Sequence, residues 1–108
     1  MLTNPRADRV RSVAALSRRS TRERTGLFLA EGPQSVREAI RFAPGEIRDL
    51  YVTAEAATRH TGILAEATAA GVAVQECTPE VLAAMCDTAA PQGLLAVCRV
   101  LNTSLATV

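Results

Sequence analysis

The sequence predicts a small α/β domain, a mixed-sheet sandwich of about four strands with helices on both faces. Two observations carry this expectation. Short continuous apolar runs, which suit buried strands, alternate with stretches whose apolar residues recur at helical spacing, in the order α-β-α-β-α-β-α-β. Strands separated by helical crossovers form parallel or mixed sheets, and the helices cover both faces. The sharpest junction lies at Leu27–Ala30, an apolar run broken by Gly32-Pro33 and followed by Val36, Ala39, Ile40 and Ala43 at helical spacing. Glycine permits the turn, and proline suits the first helical position because it has no N–H to lose.

The elements follow in order. Asn4-Pro5 reads as a cap followed by proline, opening a first helix from about Pro5 to Ser17 with Ala7, Val10, Val13 and Ala14 as a narrow apolar stripe. Residues 18–26 show no apolar periodicity and read as a basic loop. After the strand at Leu27, a helix runs to Ala43-Pro44-Gly45, where proline and glycine stop it. The N–H groups of Gln34, Ser35 and Val36 are expected to point outward at its start, where anions are favoured. Ile47 to Thr53 is a second strand, Glu55 to Ala70 one alanine-rich helix, and Val72 to Glu76 a third strand. Thr78-Pro79-Glu80 repeats the cap-and-proline signal and opens a helix through Met85. Asp87 to Gln92 is a loop, and Leu94 to Val100 the fourth strand. The expected core comprises Phe28, Leu29, Val36, Ile40, Leu50, Val52, Ile63, Val74, Leu82, Leu95 and Val97.

Composition narrows the function. At 108 residues the chain makes one domain, and 48% hydrophobic content excludes disorder. No run approaches the ~20 apolar residues of a membrane span, so a cytoplasmic chain with no membrane partner is expected. Cys77, Cys86 and Cys98 are odd in number, lack CxxC spacing and have only His60 to join them, so they read as buried small hydrophobes rather than metal ligands. Charge is one-ended: residues 1–24 carry a net +5 and residues 25–108 a net −4, and every cation is arginine. The arginine fork matches phosphate, and such asymmetry suggests a nucleic-acid partner. A solvated charge run, and an alanine- and arginine-rich composition that reflects a GC-rich genome, are the alternatives. Phosphate loops, nucleophile elbows and zinc motifs are missing from the sequence, so an active site contained within these residues is not expected.

The arginine-rich stretch, then Phe28-x-x-Glu31-Gly32-x-x-x-Val36-x-Glu38-Ala39, and finally Pro91-Gln92-Gly93-x-x-Ala96-Val97 are spread in order over residues 5–100. Together they resemble the N-terminal substrate-binding domain of SpoU/TrmH-type RNA 2′-O-ribose methyltransferases. The resemblance implies a sandwich related to kink-turn-binding ribosomal proteins, with RNA held at the first βα turn and the loop before the last strand. Carried onto this chain, it implies RNA contacts from Arg18, Arg19, Arg22 and Arg24, from Gly32 and Gln34 (beside Pro33), and from Gln92 between Pro91 and Gly93. It also implies residues 1–100 as the RNA-binding domain and 101–108 as the start of a linker. A further knotted domain, whose motifs are missing here, would bind S-adenosylmethionine and form a homodimer. No cofactor is expected on the present residues. The target implied is ribosomal RNA, of the 23S type. Two other classes stay open: a stand-alone kink-turn-type RNA-binding protein, and a small α/β ligand-binding or regulatory module.

Overall fold

A computed structural model describes residues 1–86, 88 and 90–100. The linker expected at 101–108 lies outside the described residues. Four strands, β1 (Leu27–Glu31), β2 (Ile47–Val52), β3 (Val74–Glu76) and β4 (Leu94–Arg99), form one sheet in the order β1-β4-β2-β3. β4 is antiparallel to both β1 and β2, whereas β2 and β3 are parallel, so the sheet is mixed as expected. Among the described residues six α-helices surround it, five on its faces and α2 beside its β1 edge: α1 (Asp8–Ala14), α2 (Arg19–Thr25), α3 (Pro33–Phe42), α4 (Ala54–Arg59), α5 (Thr61–Ala69) and α6 (Pro79–Met85).

Side-chain alternation along the central strand explains the two cores. Leu94, Ala96 and Cys98 pack with Val36, Ile40, Ala56, Ile63 and Ala67 of α3, α4 and α5. Leu95 and Val97 face the other way, against Val10, Val13, Val81, Leu82 and Met85 of α1 and α6. A strand covered on both sides reads as a continuous apolar run, which is why β4 is conspicuous in the sequence. Arg41 and Arg37 reach Glu66 at 2.8 and 3.8 Å, tying α3 to α5.

Several expectations need correction. The first helix begins three residues later than expected, because Asn4 Oδ1 accepts the Arg6 N–H at 2.9 Å in a turn of its own. It closes as a single 3₁₀ turn at Ala15–Ser17. Residues 19–25 are not a loop but the helix α2. Arg22 donates to the carbonyls of Leu16 (2.9 Å) and Ser17 (2.8 Å), Thr21 is buried, and Gly26 ends the helix in the left-handed conformation, φ +70°. The alanine-rich helix is two, broken at His60 (φ −118°, ψ 48°). A 3₁₀ turn at Pro44–Glu46, missed in the sequence, leads into β2.

Phe28 and Val74 are not core residues. They are 39% and 40% exposed because β1 and β3 are the two edge strands. Leu29 is half-buried, and the remaining expected core residues are buried. The N-terminus covers the β3 end of the sheet: the Leu2 N–H donates to the Glu76 carbonyl (2.9 Å), and the Leu2 carbonyl accepts from the Thr78 N–H (3.1 Å).

Candidate nucleic-acid interface

Three turns meet at one end of the sheet because β4 runs against both neighbours. Its first residues pair with the last residues of β1 and β2, Leu95 opposite Glu31 and Leu94 opposite Val52. The β1–α3 turn is therefore stitched to the loop before β4, with the Gly32 N–H on the Leu94 carbonyl at 3.0 Å. The β2–α4 turn joins the same loop through the Thr53 N–H, which donates to the Gly93 carbonyl at 3.1 Å. The structure thus brings together the two loops singled out in the sequence, at Gly32 and at Gln92.

Gly32 and Gly93 both have positive φ, +90° and +87°. A Cβ on Gly32 would come within 3.3 Å of Gln92 Oε1, so the glutamine side chain lies against the turn. At Gly93 a Cβ would sit 2.6 Å from the Ala56 Cβ and 2.9 Å from Thr53 Oγ1. Gln34 is exposed in the first turn of α3. Of the three amide groups expected to point outward there, that of Val36 is engaged, donating to the Gly32 carbonyl at 3.0 Å. Beside these turns opens a cleft of about 800 Å³, lined by Pro33, Thr53, Arg59, His60, Thr78 and Gln92 among others. Thr53 and Thr78 were not picked out as site residues, although each carries a legible signal: their hydroxyls cap α4 and α6, accepting from Ala56 and Val81 at 3.2 Å.

The four arginines divide by role. Arg22 is half-buried and engaged with carbonyls, so it fastens α2 to the preceding turn. Arg19 is exposed and pairs with Glu23 at 3.0 Å, one helical turn away. Arg18 and Arg24 are exposed, and their side chains have no hydrogen-bond or ion-pair partner among the described residues. Elsewhere in the basic segment, Arg9 lies over the Tyr51 ring, donates to its hydroxyl at 2.9 Å and pairs with Asp49 at 3.1 Å.

The shifted titrating groups lie in the packed interior and in the ion pairs of the fold. Burial pushes the thiols of Cys77 and Cys98 up to about 11 and that of Cys86 up to about 12, so all three are protonated at neutral pH. Cys77 and Cys98 are buried, as read from the sequence, and Cys86 is half-buried. Burial also raises Tyr51, and the Arg41 hydrogen bond lowers Glu66. Among the described residues no cluster of three metal-ligating side chains occurs, and no helix is long and apolar enough to cross a membrane.

Residues 7–96 match the model of the MRM3-like substrate-binding domain. The chain belongs to this family. Its fold recurs in solved methyltransferases. An S-adenosylmethionine-bound rRNA methyltransferase from Sinorhizobium meliloti superposes with a TM-score of 0.69 at 23% identity, over 92% of this chain and 36% of that one. An RNA 2′-O-ribose methyltransferase gives 0.64 at 25% identity, over 91% and 36%. The SpoU methyltransferase AviRb from Streptomyces viridochromogenes, solved with S-adenosylmethionine, gives 0.62 at 23%, over 87% and 33%. The present domain thus spans about a third of the length of these enzymes. No curated protein matches the chain.

Proposed function

We propose that this substrate-binding domain recognises RNA for a SpoU/TrmH-type 2′-O-ribose methyltransferase acting on ribosomal RNA of the 23S type in the cytoplasm. The observation that carries the reading is the family match over residues 7–96, which covers both the arginine-rich segment and the two stitched loops. Arg18, Arg19 and Arg24 contact phosphates, which supply affinity without sequence information. Arg22 adds its charge while holding α2 in place. Gly32 lets the strand-to-helix turn approach the RNA closely. Gln34 and Gln92 read base or ribose edges, because an amide both donates and accepts.

S-adenosylmethionine supplies the methyl group in enzymes of this type, but the described residues do not fit it. Among the described residues the buried polar side chains besides Tyr51 are Thr21 and Thr53, and no Phe, Tyr or Trp ring lines the large cleft to hold an adenine. We assign cofactor binding, catalysis and homodimer formation to the knotted domain that the resemblance to SpoU/TrmH-type enzymes implies. On this reading the isolated 108 residues do not transfer methyl groups.

Affinity measured across a salt series, for fragments of 23S ribosomal RNA and for transfer RNA, tests the proposal. Replacing Arg24 with alanine should weaken binding to every RNA and make the salt slope shallower by about 0.7, the single-strand value per phosphate. Gln34→Ala should keep the slope and reduce discrimination between target and scrambled RNA. An Arg18/Arg19/Arg24 triple alanine variant with unchanged affinity and slope would refute it.

A further inference from the structure

Phe28 has no place in either core. It sits on edge strand β1, 39% exposed, in a chain with only two phenylalanines and no tryptophan. It lines a depression of about 490 Å³ together with Arg19, Arg22, Glu23, Gly26, Leu27 and Val100. A second depression of about 250 Å³ is lined by Ser17, Arg22, Phe28, Leu29 and Glu31. Phe28 and Leu29 point to opposite faces of the sheet, so a hollow that both line lies over the free edge of the strand. Glu31 is shared with a third depression, lined also by Gly32, Thr88 and Gln92, and Gln92 in turn lines the large cleft. Three of these hollows, linked by shared residues, run along β1 from the basic helix to the two glycine turns, where the large cleft continues them.

We propose that this groove takes a single-stranded stretch of RNA, with one nucleobase stacked on the Phe28 ring. The inference rests on the RNA reading above and adds a stacking residue and a strand path to it. Charge complementarity selects the occupant: residues 18–24 carry four arginines and one glutamate, and of these Arg19, Arg22 and Glu23 line the hollow beside the aromatic ring. An exposed ring between arginines is a platform for a base, since every nucleobase has a π-face and its phosphates are held by the neighbouring cations. A duplex would bury its bases and leave the ring without a partner. The Glu31 carboxylate, which accepts from the Thr88 N–H at 3.2 Å, sits midway along the path and repels phosphate. The phosphates therefore run on the α2 side and the bases turn toward the strand.

The test uses the 108-residue chain with a labelled 12-nucleotide oligoadenosine and with a duplex of the same length, read by fluorescence anisotropy. Phe28→Leu, which keeps an apolar side chain, should weaken single-strand binding by at least about fivefold, the low end for losing one base–aromatic stack. It should leave the salt slope and duplex affinity unchanged. Phe28→Trp should bind within about twofold of the parent, and its emission, the only tryptophan signal in the chain, should be quenched by the single strand. Phe42→Ala, at an 82% exposed ring at the far end of α3, should change nothing. If the parent binds no RNA, the RNA reading itself falls and the stacking site with it. If the parent binds and Phe28→Leu binds equally well, or loses single strand and duplex alike, the stacking site is refuted while the arginine contacts stand. A parent that sediments as a dimer and a Phe28→Leu variant that sediments as a monomer would also overturn the proposal, by giving the groove to a second copy.

Discussion

Gly93→Ala is the substitution that most directly tests how the site is assembled. Gly93 holds φ at +87°, and its carbonyl receives the Thr53 N–H, so its backbone is fixed from both sides. An alanine there pays twice. The left-handed conformation costs an L-residue about 1–2 kcal/mol. The new methyl would also lie 2.6 Å from the Ala56 Cβ and 2.9 Å from Thr53 Oγ1. Neither neighbour yields easily: Ala56 is 5% exposed and has no rotamer to change, and the Thr53 hydroxyl caps α4. Overpacking of this kind costs about 1–3 kcal/mol. The two effects together give a loss of about 2–5 kcal/mol, a large share of the ~5–15 kcal/mol available to a small domain. Urea unfolding reads this directly, as a midpoint at least about 1 M lower if m is near 2 kcal/mol/M. Gly26→Ala is the internal reference. That glycine has φ +70° but nothing within 4 Å of an added Cβ, so only the conformational cost of about 1–2 kcal/mol applies. If Gly93→Ala costs no more than Gly26→Ala, the loop before β4 does not pack on the start of α4, and the three-turn site does not exist as described.

Three further outcomes follow from the packing and the ion pairs. Leu50→Ala, at a fully buried position, should cost about 2–5 kcal/mol in the same unfolding assay, and a change under ~0.5 kcal/mol would place Leu50 at the surface. Arg22→Ala should destabilise by about 1–2 kcal/mol through its two bonds to carbonyls, whereas Arg24→Ala should stay within ~0.5 kcal/mol, which separates the structural arginine from the exposed one. Glu66 has its carboxyl held below the usual value of 4.5 by Arg41, so its contribution is complete above that pH and is lost as the pH falls through the lowered value; Glu66→Gln should therefore flatten the acid side of the stability profile below about pH 4.5 and leave its shape at neutral pH unchanged.

What the sequence concealed has identifiable physical causes. Helix α2 carries one buried side chain, Thr21, in seven residues, so there is no apolar period to detect. It is held by an arginine hooked onto the carbonyls before it, a contact that hydropathy does not register. The break at His60 is followed by Thr61-Gly62, a short stop signal that the alanines on either side of it outweigh in a reading by helix propensity. Phe28 and Val74 were assigned to the core because apolar runs read as buried strands, but being at an edge is a property of the strand order and not of the strand. Gly32, Gln92 and the elements around them were legible because turn chemistry is local: glycine and proline mark the turns wherever the strands later lie.

The strand order also explains how weak local signals become one surface. Gly32 and Gln92 are 60 residues apart, and Thr53 lies between them in sequence. An all-parallel sheet would send the loop before the last strand to the opposite end from the β1–α3 and β2–α4 turns. Antiparallel β4, inserted between β1 and β2, returns it to the same end and bonds it to both. The register of that strand is strongly determined, since a slip of one residue would exchange Leu94, Ala96 and Cys98 with Leu95 and Val97 across the sheet and mismatch both cores. Core packing on two faces thus fixes where Gln92 meets Gly32. The proposed RNA surface inherits its geometry from the most deeply buried strand, while its charge comes from the short exposed helix at the sheet's edge.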